Sequence, residues 1–582
     1  MKLVIAEKPS VAKAYADVIG AKKRCDGYFE GNGYVVSWCV GHLVELAMPQ
    51  AYDEKYRKWR KEDLPILPDT WKYQVSQSTR KQFNTLKKLM ERPDVTELLC
   101  ATDAGREGEL IFRLVYEQAK CKKPFGRIWL SSMEDKAIKD AFADPRPGEN
   151  YDSLYEAAKC RERADWIVGL NATRLFSVIH NNTLNIGRVM TPTLAMVVDR
   201  EAAISNFVPE PFYVVRITAE DTDFDSKKFK AKDDALKLAK KCKAEGRAEV
   251  SEVTVKEKKE NPPLLYDLTT LQREANKHFG FSAQQTLDYA QSLYEKKLIT
   301  YPRTDSRYIT GDMEQAISKL IQKTAQPVCG MDGENAPATG KLVNDAKVTD
   351  HTALLPTEGV AKTDLEALPS GEAAILRMIT ARLLSATSVP YRYEETKITL
   401  GCGGEAFSAT GKRILEEGWK RFEPEKTKET ELPAWKKGDA VDLAGISLKE
   451  GKTKPPARFT EGTLLRAMET AGKDELPEEA ERSGIGTPAT RAGIIEKLVR
   501  TGFLIRSGQK KAKVLTPTEK GIFLAGIVPE EIRSVAMTAD WEKKLLAIER
   551  GEMTADAFMA EICAFTDRIV RDAQEKSGRR GP

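Results

Sequence analysis

Apolar and polar positions alternate with clear periods along the chain. Residues 2–6 form a short, almost wholly apolar run, and Glu7-Lys8-Pro9-Ser10 follows it. An amphipathic pattern then continues to Val18, which predicts a strand followed by a helix with Ser10 as its N-cap. Residues 34–40 and 43–46 read as further strands, and 59–71 as a loop rich in proline and charge. A second buried strand is predicted over 97–103. It enters Ala104-Gly105-Arg106-Glu107-Gly108-Glu109 and a helix over 110–119, and a third strand is predicted over 127–131. Alternating strands and helices imply an α/β unit with a parallel sheet.

The pattern turns helical over 151–206. Strand-like runs at 212–219 and 248–255 flank a lysine-rich helix, and 256–261 reads as a polar hinge ahead of Pro262-Pro263. Helices over 268–279 and 283–297 lead to a strand around Tyr301. Strands return at 393–400 and 405–410. Helices over 463–471 and 489–501 lead to a strand at 502–505, a basic turn over 506–513 and a strand at 514–515. Helix, turn, helix and wing is the layout of a winged helix, a frequent DNA-reading unit. The tail, 575–582, has the composition of a disordered segment.

Length and charge narrow the class. At 582 residues the chain should form several domains. The net charge of +5 is small, so any nucleic-acid surface is local. No apolar run approaches a membrane span, and the first residues read as a strand, with no signal peptide ahead. The nine cysteines are scattered without a Cys-x-x-Cys pair, which argues for a reducing cytoplasm and against a zinc ribbon. His42, His180, His278 and His351 are equally dispersed.

Two stretches carry chemistry. In Thr300-Tyr301-Pro302-Arg303-Thr304-Asp305-Ser306, Pro302 fixes its own φ and biases Tyr301 toward an extended backbone. A phenol held beside a guanidinium can attack a phosphodiester while the guanidinium grips a phosphate oxygen. At the sheet edge, Glu7, Asp103, Glu107 and Glu109 converge on strand ends. Hard carboxylates in that arrangement suit Mg²⁺. A helix dipole explains Glu107 and Glu109 alone, but not Asp103 on an apolar strand.

Glu7-Lys8-Pro9-Ser10 with Asp103-x-x-Arg106-Glu107-Gly108-Glu109 resembles the Toprim domain. Together with the Tyr301 motif, Gly187-Arg188-Val189 and Gly484-Ile485-Gly486-Thr487-Pro488-Ala489-Thr490-Arg491, in that order, the chain resembles type IA DNA topoisomerases, and among them the bacterial topoisomerase III group. The resemblance implies a multidomain α/β and α+β fold. A Rossmann-like Toprim domain, helical and winged-helix-like domains and a β-rich arch form a ring around DNA. The expected divisions are Toprim 1–150, first groove segment 151–210, first arch segment 211–262, tyrosine-bearing winged-helix-like domain 263–390, second arch segment 391–450, second groove segment 451–575 and tail 576–582.

The resemblance also implies roles. Tyr301 is the expected nucleophile on single-stranded DNA, giving a 5′-phosphotyrosine without ATP, and no Walker loop is found. Lys8 and Arg303 would stabilise the phosphorane, Glu7 would move a proton at the 3′-oxygen, and His351 would sit near the scissile phosphate. Glu7, Asp103 and Glu107 are the expected Mg²⁺ ligands. Trp59, Arg161, Asp165, Trp166, Arg174, Arg491 and the stretch Asn185, Ile186, Gly187, Arg188, Val189 and Met190 are the expected DNA-binding residues, with the tryptophans stacking bases. Single-stranded and negatively supercoiled DNA are the expected partners of a cytoplasmic monomer without zinc or membrane, and a helicase is a candidate partner. Three features depart from the pattern: Gly105 replaces a second aspartate, Met190 replaces a glutamine, and no zinc-ribbon tail follows the core.

Overall fold

The computed structural model describes the chain except residues 131–134, 335–336, 349–350, 426–427, 473–483, 510–512 and 580–582. The N-terminal sheet has seven strands, in the order Lys23–Cys25, Tyr28–Gly31, Tyr34–Trp38, Lys2–Ala6, Glu97–Ala101, Phe125–Arg127 and Arg146–Pro147. Its four middle strands are parallel, with Ala6 opposite both Trp38 and Ala101. Both edges turn antiparallel, so the sheet is mixed rather than wholly parallel. Leu3 and Ile5 enter one core and Val4 and Ala6 another, on opposite faces. A strand covered on both sides has no polar positions to alternate with, hence the continuous apolar run. The third strand lies at Phe125–Arg127, two residues before its predicted start.

The long helix Asp152–Ile179 and the helix Met190–Ser205 follow. Helices Ala536–Glu549 and Ala555–Arg579 pack against the first of these. The last helix runs through Arg579, so 576–579 is helical rather than disordered, and 580–582 lie outside the described residues.

A second seven-stranded sheet draws strands from two distant stretches. Its order is Ala440–Asp442, Arg247–Glu260, Tyr391–Cys402, Glu405–Glu416, Thr222–Ser226, Pro211–Ala219 and Gly445–Lys452. The expected hinge at 256–261 is strand as far as Glu260, paired in register with Tyr391. Its charged side chains sit on solvated faces of a sheet ribbon, where polarity does not interrupt backbone pairing.

Between these stretches lie the helices Leu268–Phe279 and Ala283–Glu295. Asp267 caps the first, accepting from Thr270 N at 2.6 Å, and Ser282 and Gln285 form a capping box on the second. The segment after them is not a strand. It makes isolated bridges, Ile299 with Pro356, and Tyr301 itself lies outside any ladder. Proline at 302 and 356 removes the donors a continuous ladder needs. The later unit has helices Glu461–Thr470 and Pro488–Arg500 followed by the antiparallel pair Leu504–Ser507 and Val514–Pro517.

Candidate active site

The strand Lys2–Ala6 delivers Glu7 and Lys8 to the sheet's carboxyl edge. Pro9 occupies the first helical position, so Lys8 and not Ser10 is the N-cap residue, and it makes no side-chain cap. The neighbouring strand Glu97–Ala101 delivers Asp103. The helix Arg106–Gln118 closes onto this edge at Gly108, where a Cβ would meet the Asp103 carbonyl oxygen at 2.0 Å. Thr102 Oγ1 donates to the Gly108 carbonyl at 2.8 Å. Only glycine permits this approach.

Asp103 N donates to Glu7 Oε2 at 3.3 Å. Lys8 Nζ lies 3.3 Å from Glu7 Oε1 and 3.7 Å from Asp103 Oδ2. The same ammonium donates to the Tyr301 hydroxyl and sits 4.2 Å from the ring centroid. His351 reaches the group from the other side, with Nε2 3.6 Å from Asp103 Oδ2 and its ring 4.4 Å from that of Tyr301. Tyr294 meets Tyr301 edge-on at 5.3 Å. Lys8 and Tyr301, 293 positions apart in sequence, thus meet.

Burial and the Asp103 charge raise the Glu7 carboxyl, against the pull of Lys8. Burial also pushes Asp103 up, but His351 and Lys8 hold it well below the usual carboxylate range. Burial disfavours the Lys8 ammonium, yet Asp103, Tyr301 and Glu7 outweigh it and keep Lys8 protonated. The Tyr301 phenol is raised by burial, with Lys8 opposing. Arg303 is exposed and makes no ion pair or hydrogen bond among the described residues.

The expected metal ligands are only partly brought together. Glu7 and Asp103 converge, whereas Glu107 is held by Arg161 and by His42, whose Nε2 is 2.6 Å from Glu107 Oε1. Among the described residues no three acidic, histidine or cysteine side chains gather into a metal-holding group. The reason is electrostatic: beside a buried guanidinium, Glu107 finds a nearer cation. Glu7 and Asp103 already enclose the positive charge of Lys8, and a pair of hard carboxylates suits Mg²⁺. Gly105, at φ 165°, is extended backbone open to any residue.

The remaining expected residues divide in two. Arg188 forms a fork on Asp165 at 2.8 and 3.1 Å. Arg174 donates to the Tyr56 carbonyl at 2.7 Å and lies 5.5 Å from the ring of Trp59, which is 43 % exposed. Trp166 clusters with Tyr52 and Trp71. Asn185, Gly187 and Val189 are half-buried. Ile186 and Met190, in contrast, are packed in the hydrophobic core, so their side chains are not available to bases. Arg491 is buried too. It donates to the Ile485 carbonyl at 3.1 Å and to Thr269 Oγ1 at 3.2 Å, tying two helical units together rather than facing solvent as a phosphate ligand.

Several residues of this neighbourhood carried no sequence signal. His42 precedes a short strand without any metal or triad spacing. Glu162 is half-buried beside the site, and its carboxyl is pushed up to about 7 by desolvation and by Glu107, against His42. Glu542 and Glu549 reach Arg106 from more than 400 positions away.

The chain and its fold are similar to known proteins. A DNA topoisomerase family model matches residues 149–560 and a Toprim domain model matches 2–133. A solved structure of full-length topoisomerase I from Thermotoga maritima superposes with a TM-score of 0.74, at 25 % identity, over 98 % of this chain and 90 % of that one. The chain belongs to the type IA DNA topoisomerases, enzymes that isomerise DNA, and carries their Toprim domain. DNA topoisomerase 3 of Bacillus subtilis (strain 168) is 42 % identical over 603 residues, which span 99 % of this chain and 82 % of that protein. DNA topoisomerase 3 of Bacillus licheniformis is 41 % identical over 601 residues, again 99 % and 82 %. No helix among the described residues is long and apolar enough to cross a membrane.

Proposed function

We propose that this topoisomerase cuts single-stranded DNA through Tyr301, passes a strand and rejoins the break without ATP, relaxing negative supercoils and unlinking or decatenating DNA. One observation carries the reading: the Lys8 ammonium bridges the Tyr301 hydroxyl and the two carboxylates of the Toprim edge. Tyr301 Oη attacks phosphorus and the bond to the 3′-oxygen breaks, leaving a 5′-phosphotyrosine. Lys8 favours the phenolate, whose proton leaves to solvent and returns from it on rejoining, and then faces the charged phosphorane. Arg303, exposed beside the nucleophile, takes a phosphate oxygen with its planar fork. Glu7, its carboxyl raised by burial and Asp103, holds the proton that the departing 3′-oxygen needs and takes it back on rejoining. His351 steadies the phosphate from the far side of the tyrosine ring.

Glu7 and Asp103 would hold Mg²⁺, with Glu107 joining after it leaves Arg161 and His42. When bound, the ion supplies a counter-charge for phosphate during rejoining. Arg161, Asp165, Arg174, Arg188, Trp59 and Trp166 line the path of the single strand, with backbone at 185–189 beside them. Incubation with negatively supercoiled plasmid and Mg²⁺, without ATP, should give stepwise relaxation and denaturant-trapped covalent adducts. Nicked or linear products with free ends would instead mark a Toprim nuclease.

A further inference from the structure

A buried charge cluster lies behind the proposed strand path, and the catalytic account above does not use it. Glu542 is 4 % exposed and receives two guanidinium groups. Arg106, 1 % exposed and the first residue of the helix Arg106–Gln118, donates to Glu542 Oε2 at 2.8 Å. Arg188, 7 % exposed, donates to Glu542 Oε1 at 3.4 Å. Arg106 also pairs with Glu549.

One face of the helix Ala536–Glu549 makes all of these contacts. Thr538 Oγ1 donates to the Arg188 carbonyl at 3.4 Å, and the Arg188 guanidinium lies 5.1 Å from the Trp541 ring. Thr538, Trp541, Glu542 and Glu549 recur at helical spacing, so a single stripe grips Arg188 at one end and Arg106 at the other.

The two carboxylates on Arg188 differ. Asp165 is 43 % exposed and Glu542 is buried. An incoming phosphate can replace the exposed partner at small desolvation cost. Replacing the buried one would strand a carboxylate away from water. Asp165 is therefore a competitor of phosphate, and Glu542 is an anchor that survives strand binding.

We infer that Glu542 is a positioning residue: fixed by Arg106 on the Toprim side, it holds the Arg188 guanidinium ready for a backbone phosphate of the single strand. The inference rests on the reading of Arg188 as a strand-binding residue.

The test is a double-mutant cycle on binding of a fluorescent single-stranded oligonucleotide, measured by anisotropy in EDTA. Arg188→Gln should weaken binding by roughly tenfold or more, the worth of a charge-assisted phosphate contact. Glu542→Gln should weaken it by about tenfold alone and by less than about twofold in the Arg188→Gln background. Asp165→Asn, which removes the competitor of phosphate, should bind more tightly than the unaltered protein. A purely structural role would give additive losses and the same direction for both carboxylates. Glu542→Asp keeps the charge but withdraws it by one methylene. It goes through the same cycle and decides the question if Glu542→Gln fails to fold. Arg188→Gln at unaltered affinity would remove the strand-path reading and this inference with it. A weak Arg188→Gln with undiminished Glu542 variants, or additive losses, would overturn this inference alone.

Discussion

Replacing Lys8 with methionine keeps the shape of the stem and removes one charge from the centre of the site. The ammonium lies 3.3 Å from Glu7 and 3.7 Å from Asp103, with the lysine side chain 23 % exposed. At an effective dielectric of about 20 these contacts are worth roughly 5 and 4.5 kcal/mol before desolvation. Removing one partner of a buried pair costs about 3–5 kcal/mol, and partial exposure puts Lys8 near the lower end. We expect a loss of about 3 kcal/mol at about pH 8, which is roughly 6–12 °C in the melting midpoint of a domain of this size. The sign of the pH dependence follows from Glu7, whose folded carboxyl already titrates above its unfolded value. Without Lys8 it rises further. A raised carboxyl destabilises the fold while ionised and stops doing so once protonated, so the deficit should shrink on acidification through that folded value. The gap in melting midpoint between the variant and the unaltered protein should therefore narrow toward acidic pH, leaving the share that comes from Asp103. Single-turnover cleavage of an oligonucleotide in EDTA should fall by about 10²–10³, as when a preorganised donor to a charged transition state is lost. Melting curves from about pH 5 to 8.5 and rapid-quench cleavage measure both effects. A deficit that grows on acidification, or cleavage within twofold or so of the unaltered rate, would refute the reasoning.

Other substitutions probe separate parts of the site. Arg303→Lys keeps the charge but loses the planar fork, and cleavage should slow by the equivalent of about 2–4 kcal/mol, read as single-turnover rate. Gly105→Asp adds a carboxylate where the backbone is extended and accepts a side chain. It should tighten Mg²⁺ binding, measured by titration calorimetry without DNA, and an unchanged affinity would place residue 105 outside the ion's reach. Gly108→Ala puts a methyl group 2.0 Å from the Asp103 carbonyl oxygen, so it should displace the acid loop and destabilise the Toprim domain by about 1–3 kcal/mol or more in thermal melts. Affinity for single strands should fall steeply with salt, because phosphate contacts dominate it, and a flat salt profile would contradict a charged strand path.

Glu7, Lys8 and Asp103 were legible in the sequence because buried parallel strands are recognisable apolar runs and their last residues fall at the functional edge of the sheet. Tyr301 was legible through its fixed neighbours, although the strand assigned to it dissolves into isolated bridges beside Pro302 and Pro356. The metal set was read from local spacing, which cannot show that Arg161, on another helix, claims Glu107. Ile186 and Met190 were placed on the strand path from their neighbours in the Gly187-Arg188 motif, but their own apolar character was the better guide and puts them in the core. Arg491 shows the opposite error: a charged residue at a helix start reads as solvent-facing until a second domain covers it. Glu542 has no local signature at all. Its partners are 436 and 354 positions away, and only the packing of the helix Ala536–Glu549 against Asp152–Ile179 brings it to Arg106 and Arg188.

The central claim is that Tyr301 is the atom donor to the broken strand. Trap the protein on a 3′-labelled single-stranded oligonucleotide with denaturant, digest both polymers, and sequence the nucleotide-bearing peptide by mass spectrometry. The account predicts a phosphodiester on Tyr301, within the peptide containing Thr300-Tyr301-Pro302-Arg303, and no adduct from Tyr301→Phe even though that variant still binds single strands. An adduct on any other residue, or one that persists in Tyr301→Phe, would contradict it.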